Sequence, residues 1–305
     1  MTGRKENLMS APLFAPLFEY IEANLHTKIN MPDAARTVSL SPVHLTRLFS
    51  FAYGITPTEY IRRRKLSESL RFLQETEQTV LEIALRFGFA HEQSFTRAFC
   101  AEFGTTPGKY RSGHTELPVL LPIPDFGIPC GSGNLFGPET VFLPKIQLLG
   151  VWHEIPYRTS AKLAPVAALD FWDRGRMGLP GGKYATAFYG LTRHPGGDEN
   201  AQTSTTARCS HYLTAIEMQA DGKTPHPATD SFGGCPCIKF HYIGRHHYRE
   251  LSQKTAQQMY RAIRKHIYSA NAIPAVDGSM HLEKIDAAEF DEEYCLMEWY
   301  APVRM

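Results

Sequence analysis

Gln93, Thr96 and Arg97, with Cys100, share one side of a segment of helical period whose other side is Phe95, Ala98, Phe99 and Phe103. Gln and Arg can bond bidentately to adenine and guanine edges in a major groove, so that side is suited to reading DNA. Val80, Ile83, Ala84 and Phe87 precede it at helical spacing, and Gly88-Phe89 breaks the chain between the two segments. This pattern predicts two short helices joined by a tight turn. The same layout stands earlier, where Val43, Thr46 and Arg47 point away from a stripe of Leu45, Leu48, Phe49 and Ala52. Ser41 is a good N-cap there and Pro42 suits the first helical position.

Two other groups carry chemistry. In the run YCLMEWYAPV, Tyr294, Leu296, Glu298 and Tyr300 alternate to one face, and Cys295, Met297, Trp299 and Ala301 to the other. Both faces are apolar enough to be covered, so Glu298 is expected to be partly buried and to need a partner or a proton. One outcome is a pair with a helix Lys or Arg; the other is a carboxylate in a cleft. Cys209-x-His211 and Cys235-Pro-Cys237 place thiols and an imidazole two apart on strand faces, a soft donor set. Their spacing matches no zinc pattern, which leaves small buried cysteines as the preferred reading and a metal or redox sensor as an alternative.

The elements that must position these groups follow from the hydrophobic pattern. Residues 13–28 read as a first helix with Leu17, Tyr20, Ile21 and Leu25 on one stripe. Thr56, Pro57 and Glu59 read as a capping box opening a helix to about Glu77, which would hold the two readers at a fixed separation. Its run Arg62-Arg63-Arg64-Lys65 either touches phosphates or is a solvated face paired with Glu68. Residues 113–144, with six prolines, have the composition of a linker. Beyond them, strand (146–155), helix (161–175, interrupted by Pro165), strand (184–192) and strand (211–218) are followed by the same order again: 237–244, 248–270, MHLEKI and YCLMEWYAPV.

The wording adds to the spacing. IALRFGF, SFTRAFCAEFG, TPGKYR and SPVHLTRLF closely resemble the two DNA-reading units of the AraC/XylS family of transcription regulators. Ala90 stands where that family places a Ser or Asp N-cap, and Ser39 where it favours a turn Gly. The back half resembles the GyrI-like effector-binding domain through YGLT, FHYIG and MEWYAPV, and a reader ahead of such a domain is the order of the Rob-like branch. The resemblance implies that Val43, Thr46, Arg47, Gln93, Thr96 and Arg97 face adjacent major grooves. It further implies that Glu298 lies in a ligand cleft with Tyr189, Tyr242, Trp172 and Tyr300 supplying cation–π contacts.

The expected architecture is therefore α+β in two domains. An all-α double helix-turn-helix domain (8–112) and a linker (113–144) precede a GyrI-like α+β domain (145–305) of two strand-helix-strand-strand modules. The net charge is +1, and the first 112 residues carry 14 Lys+Arg against 11 Asp+Glu. That bias is compatible with DNA but would not suggest it alone, so specific binding rests on where the arginines point. No apolar run approaches the roughly 20 residues of a membrane span, and no signal peptide is read, so a cytoplasmic protein with reduced thiols is expected. The sequence lacks an obvious nucleophile–base pair, a phosphate-binding Gly loop or paired catalytic carboxylates, so the reading is a regulator, an activator, and not an enzyme. The expected partners are double-stranded DNA bound by a monomer, RNA polymerase and a small-molecule effector such as a lipophilic cation. No cofactor, metal or membrane is expected. Hydrolysis by Glu298 with Tyr189 or Tyr242 is the competing activity, and a module that blocks or sequesters the regulator is a third reading.

Overall fold

The computed structural model describes residues 12–113, 116–122, 127–156, 159–193, 209–218, 228–269, 273–274, 280–286 and 293–304. The chain divides into a front unit, Pro12–Phe126, and a back unit that holds Gly127–Met305.

The front unit is helical: α1 (Ala15–Ala23), α2 (Met31–Thr37), α3 (Pro42–Tyr53), α4 (Pro57–Glu75), α5 (Val80–Arg86), α6 (Glu92–Phe103) and α7 (Pro107–Ser112). The stripes read from sequence are buried: Leu45, Leu48, Phe49 and Ala52 on α3, and Phe95, Phe99 and Phe103 on α6. Phe14 and Phe18 close the first half of this core against Phe49 and Tyr60 in edge-on and tilted pairs, with ring centroids 5.3–5.7 Å apart. Thr56 caps α4 by accepting from Glu59 N–H at 3.2 Å. The reciprocal capping box is at α5, where the Thr79 hydroxyl accepts from Glu82 N–H and the Glu82 carboxylate from Thr79 N–H. The N-cap of α6 is His91, one residue beyond Ala90, and its side chain caps nothing. Ser39 takes φ 58°, so the turn before α3 holds a side chain in the left-handed region that favours glycine.

α4 is anchored along its length. Arg64 forms a bidentate pair with Glu22 at 2.9 and 2.7 Å and donates to Leu120 O. Arg63 pairs with Glu102 at 2.7 Å, and Arg62 lies 3.7 Å from the same carboxylate. Lys65 is buried and donates to Thr27 O and Phe87 O, joining the α1–α2 turn to the end of α5. The basic run thus holds helices together. Glu68, the partner expected for it, is taken by Arg71.

Among the described residues, the back unit forms a ten-stranded antiparallel sheet: β1 (Ile128–Cys130), β2 (Gly133–Leu143), β3 (Ile146–Pro156), β4 (Ala187–Arg193), β5 (Cys209–Glu217), β6 (Asp230–Phe232), β7 (Cys235–Gly244), β8 (Ile273–Pro274), β9 (Met280–Asp286) and β10 (Cys295–Arg304). The strand order is β1-β2-β7-β10-β9-β4-β5-β3-β6, with β8 on β10. Helices α8 (Ser160–Asp173) and α9 (Gln253–Ser269) follow β3 and β7, so strand–helix–strand–strand occurs twice, and the two halves meet where β4 pairs β9. Pro165 lies inside α8, which runs on through it instead of being interrupted.

Residues 113–144 are not a linker throughout, because 128–143 form β1 and β2. Gly137 and Pro138, which read as coil signals, sit at a register shift between Phe136 and Glu139, where the ladder tolerates them. Residues ahead of these strands pack on the front unit: Leu117 covers its core, and Leu120 N–H donates to Ser67 Oγ at 2.9 Å.

β2 and β3 lie near opposite ends of the sheet, yet only Pro144 and Lys145 join them, and Gly234 N–H bonds Leu143 O at 2.7 Å. Two residues span too little for a flat sheet, so the sheet curls. Its inner face gathers Leu148, Tyr189, Leu191, Leu213, Phe232, Cys237, Leu282 and Tyr300 into one core. The outer face carries α8 and α9 over two separate cores.

Candidate DNA interface and ligand cavity

On α3, the Ser41 hydroxyl accepts from His44 N–H at 3.2 Å, fixing the helix start. Val43 is 76% exposed, Thr46 is exposed and Arg47 is half-buried, all opposite the buried stripe. The Thr46 hydroxyl donates back to Pro42 O at 2.8 Å. On α6, Gln93 and Arg97 are exposed and Thr96 half-buried, again opposite the buried phenylalanines. The structure thus places all six sequence-derived reader positions on the outer sides of their helices. The α4 anchors reach α1 and the turn after it on one side and the end of α5 and α6 on the other.

In the back unit the carboxylate read from sequence lies on the wrong face for a cleft. Glu298 faces the inner core, 2.7 Å from Lys239 Nζ and 3.3 Å from Lys284 Nζ, and accepts from Tyr300 O–H at 3.0 Å. Burial opposes its ionisation, but Lys239, Lys284 and Tyr300 together hold the carboxyl below the usual carboxylate range. Its cationic partners come from neighbouring strands instead of a helix. Tyr189 shares this inner face and donates to Glu217 at 2.8 Å. Tyr242 is on the outer face but sealed in the core beneath α9, with its hydroxyl 2.9 Å from His246 Nε2. Of the two pairings named for hydrolysis, Glu298 with Tyr242 is split between the two faces of the sheet, and Glu298 with Tyr189 shares the inner face, where the Tyr189 hydroxyl is committed to Glu217.

The outer face holds the cavity. A space of about 330 Å³ opens between α8 and α9 above the β4–β9 junction. Its wall includes Trp172, the one ligand residue of the sequence reading placed there, together with Phe188, Tyr212, Tyr248, Met297 and Trp299. Its carboxylate is Glu283, on β9. The Glu283 side chain is 29% exposed, and that exposure opens into the cavity, with protein around it. Burial pushes the carboxyl up to about 7, a rise that the Tyr212 O–H, donating at a long 3.5 Å, only partly offsets. His281 Nε2 lies 3.8 Å from the same carboxylate, and its ring stacks on Trp299 at 4.9 Å. Gly190, level with Glu283 on β4, leaves room for this arrangement, since a Cβ there would strike the Tyr212 hydroxyl. Arg249 of the wall is clasped to Asp173 at the end of α8 by two bonds of 2.7 and 2.5 Å. Chemically this is an aromatic box over an acid that can be neutral or anionic near neutral pH.

Residues 34–113 match the family model of a helix-turn-helix domain. The transcriptional activator AarP of Providencia stuartii is 34% identical over 123 residues, 39% of this chain and 91% of AarP. The multiple antibiotic resistance protein MarA of Salmonella typhimurium is 33% identical over 109 residues, 35% of this chain and 86% of MarA. The chain belongs to the AraC/XylS family of transcription regulators. The transcriptional regulator Rob of Salmonella typhimurium, 36% identical over 145 residues, covers 46% of this chain and 48% of Rob, which supports the Rob-like branch. These relatives are DNA-binding regulators and not enzymes. Among the described residues, no helix of this AraC/XylS regulator is long and apolar enough to cross a membrane.

The regulator's four candidate metal ligands do not converge. Cys209 and His211 lie on β5 and Cys235 and Cys237 on β7, with three strands between them in the sheet. Among the described residues, no group of three or more His, Cys, Asp or Glu is placed to hold a metal. Sequence reasoning missed Glu283, His281, Tyr212 and Trp299 as one group. The signal that could have found them was the alternation in MHLEKID, which puts His281, Glu283 and Ile285 on one face.

Proposed function

We propose that this regulator is a cytoplasmic transcription activator that reads an asymmetric site on double-stranded DNA as a monomer and works beside RNA polymerase. Its back unit, a GyrI-like domain, senses a lipophilic cation. Val43, Thr46, Arg47, Gln93, Thr96 and Arg97 are its DNA-reading residues. The difference between the two outer faces supports an asymmetric site, and the activator AarP supports the direction of regulation.

The observation that carries the sensing role is the carboxyl of Glu283 in the wall of a cavity that Trp172, Tyr212 and Trp299 also line. An aromatic cation entering the cavity would stack on these rings and turn Glu283 into its counter-ion, so Glu283, not Glu298, is the ligand carboxylate. All three tryptophans belong to the back unit, and two of them line the cavity. Titration with tetraphenylphosphonium should therefore quench tryptophan fluorescence of the full-length chain saturably, and Glu283→Gln should weaken the response on the order of tenfold or more. An unchanged curve in that variant would remove the assignment.

A further inference from the structure

Cys235 and Cys237 flank Pro236 at the start of β7, two residues apart and so on one face of the strand. Their sulfurs lie 3.9 Å apart. Cys237 is fully buried in the inner core and Cys235 half-buried at its margin; across from them on β2 stand Val141 and Leu143. The pair is on the opposite face of the sheet from the cavity that holds Glu283, so its chemistry is independent of cation binding there.

Three chemistries use a dithiol, and the geometry separates them. A disulfide needs Cβ atoms about 3.8 Å apart, whereas alternate residues of a strand are displaced by nearly 7 Å along it, so a direct bond would require the strand to pucker. A single pyramidal atom bonded to both sulfurs at about 2.3 Å, with an angle near 100°, holds them about 3.5 Å apart, so side-chain rotation of about 0.4 Å closes the 3.9 Å gap. Structural zinc would need two further ligands, and among the described residues no third His, Cys, Asp or Glu joins the pair. Zinc would also require two thiolates in apolar surroundings. Burial, reinforced by Cys235, pushes the Cys237 thiol up to about 12 and keeps it protonated.

We propose that Cys235 and Cys237 form a binding site for trivalent arsenic. Arsenous acid, As(OH)3, condenses with the two thiols: two As–S bonds form, two As–O bonds break, and each thiol proton leaves with a hydroxide as water. The oxidation state is unchanged, and the product, a cyclic dithiolate carrying one As–OH, is neutral, as the apolar surroundings require. The net reaction starts from two neutral thiols and releases two waters, so the raised thiol value slows attack by the thiolate but does not weaken the equilibrium uptake that dialysis reads.

The test is equilibrium dialysis of the full-length reduced protein against arsenite, with bound arsenic measured by elemental analysis. Wild type and Cys209→Ser should bind one arsenic per chain. Cys235→Ser and Cys237→Ala should each weaken uptake on the order of 100-fold, because a chelate becomes a single-thiol adduct. Cys235→Ser decides the matter, since its half-exposed side chain tolerates the change, and tryptophan fluorescence of each variant verifies that the back unit is folded. Retained uptake in folded Cys235→Ser, no stoichiometric uptake in wild type, or one-to-one zinc binding by the same pair would each overturn the proposal.

Discussion

Replacing Glu283 by Gln should make the back unit less sensitive to pH in a direction fixed by the raised carboxyl value. The unfolded chain loses this proton near the ordinary 4.5, the folded protein near 7. Between those values the native state binds more protons than the unfolded state, so its stability falls as pH rises and levels off above about 7. A difference of about 2.5 units at 1.36 kcal/mol each makes the loss about 3 kcal/mol. Gln keeps an acceptor for the Tyr212 O–H but never ionises. Glu283→Gln should therefore be close to wild type at pH 4.5 and about 3 kcal/mol more stable at pH 8, roughly 6–12 °C in melting temperature for a domain of this size. Tryptophan fluorescence during urea unfolding of the full-length chain reports the back unit alone, because Trp152, Trp172 and Trp299 all lie there. Subtracting wild type from variant at each pH removes titrations common to both. A difference that stays flat from pH 5 to 8, or bends only near pH 4.5, would refute the claim that Glu283 is held in a desolvated site.

Glu298→Gln should leave cation binding unchanged but destabilise the back unit by about 2 kcal/mol at pH 7, because Lys239 and Lys284 lose a shared, half-buried partner. Since its folded value is depressed, that deficit should vanish as pH falls through the carboxylate range, which the same urea series would show. In the front unit, Lys65→Met should cost roughly 2–4 kcal/mol by leaving Thr27 O and Phe87 O unpaired, measured by helical circular dichroism on heating. Ser39→Gly should stabilise the same unit by about 1 kcal/mol by relieving its positive φ. Arg97→Ala should lose about 1–3 kcal/mol on specific DNA and far less on random DNA; equal losses in a competition assay would make Arg97 a phosphate contact.

The front unit was legible because its signals are local. A helical stripe such as Leu45, Leu48, Phe49 and Ala52 needs no long-range information, and Ser41-Pro42 marks its own helix start. What the sequence lacked there were partners: it offered phosphates or Glu68 to the basic run, whereas Glu22 and Glu102, distant in sequence, pair with its arginines. A near neighbour is the obvious choice only until tertiary contacts bring others closer.

In the back unit the order of the main strands and helices was readable, but the face of the sheet was not. The alternation of β10 divides its side chains into two sets without naming which set meets the helices, and both sets are apolar. The residues therefore left Glu298 between an ion pair and a cleft, the resemblance chose the cleft, and the structure pairs Glu298 with Lys239 and Lys284 in the inner core. β1 and β2 were hidden because Gly137 and Pro138 interrupt their pattern at the register shift. Which face lies inside the curl depends on β2 and β3 meeting through two residues, a fact no local window contains.

Glu283, and not Glu298, is the carboxylate proposed to meet a cationic ligand. The most direct measurement is calorimetric titration of tetraphenylphosphonium into the full-length wild type, Glu283→Gln and Glu298→Gln at pH 8. Affinity lost on the order of tenfold or more in Glu283→Gln alone is the predicted result. Affinity lost only in Glu298→Gln, or kept in both variants, would contradict it.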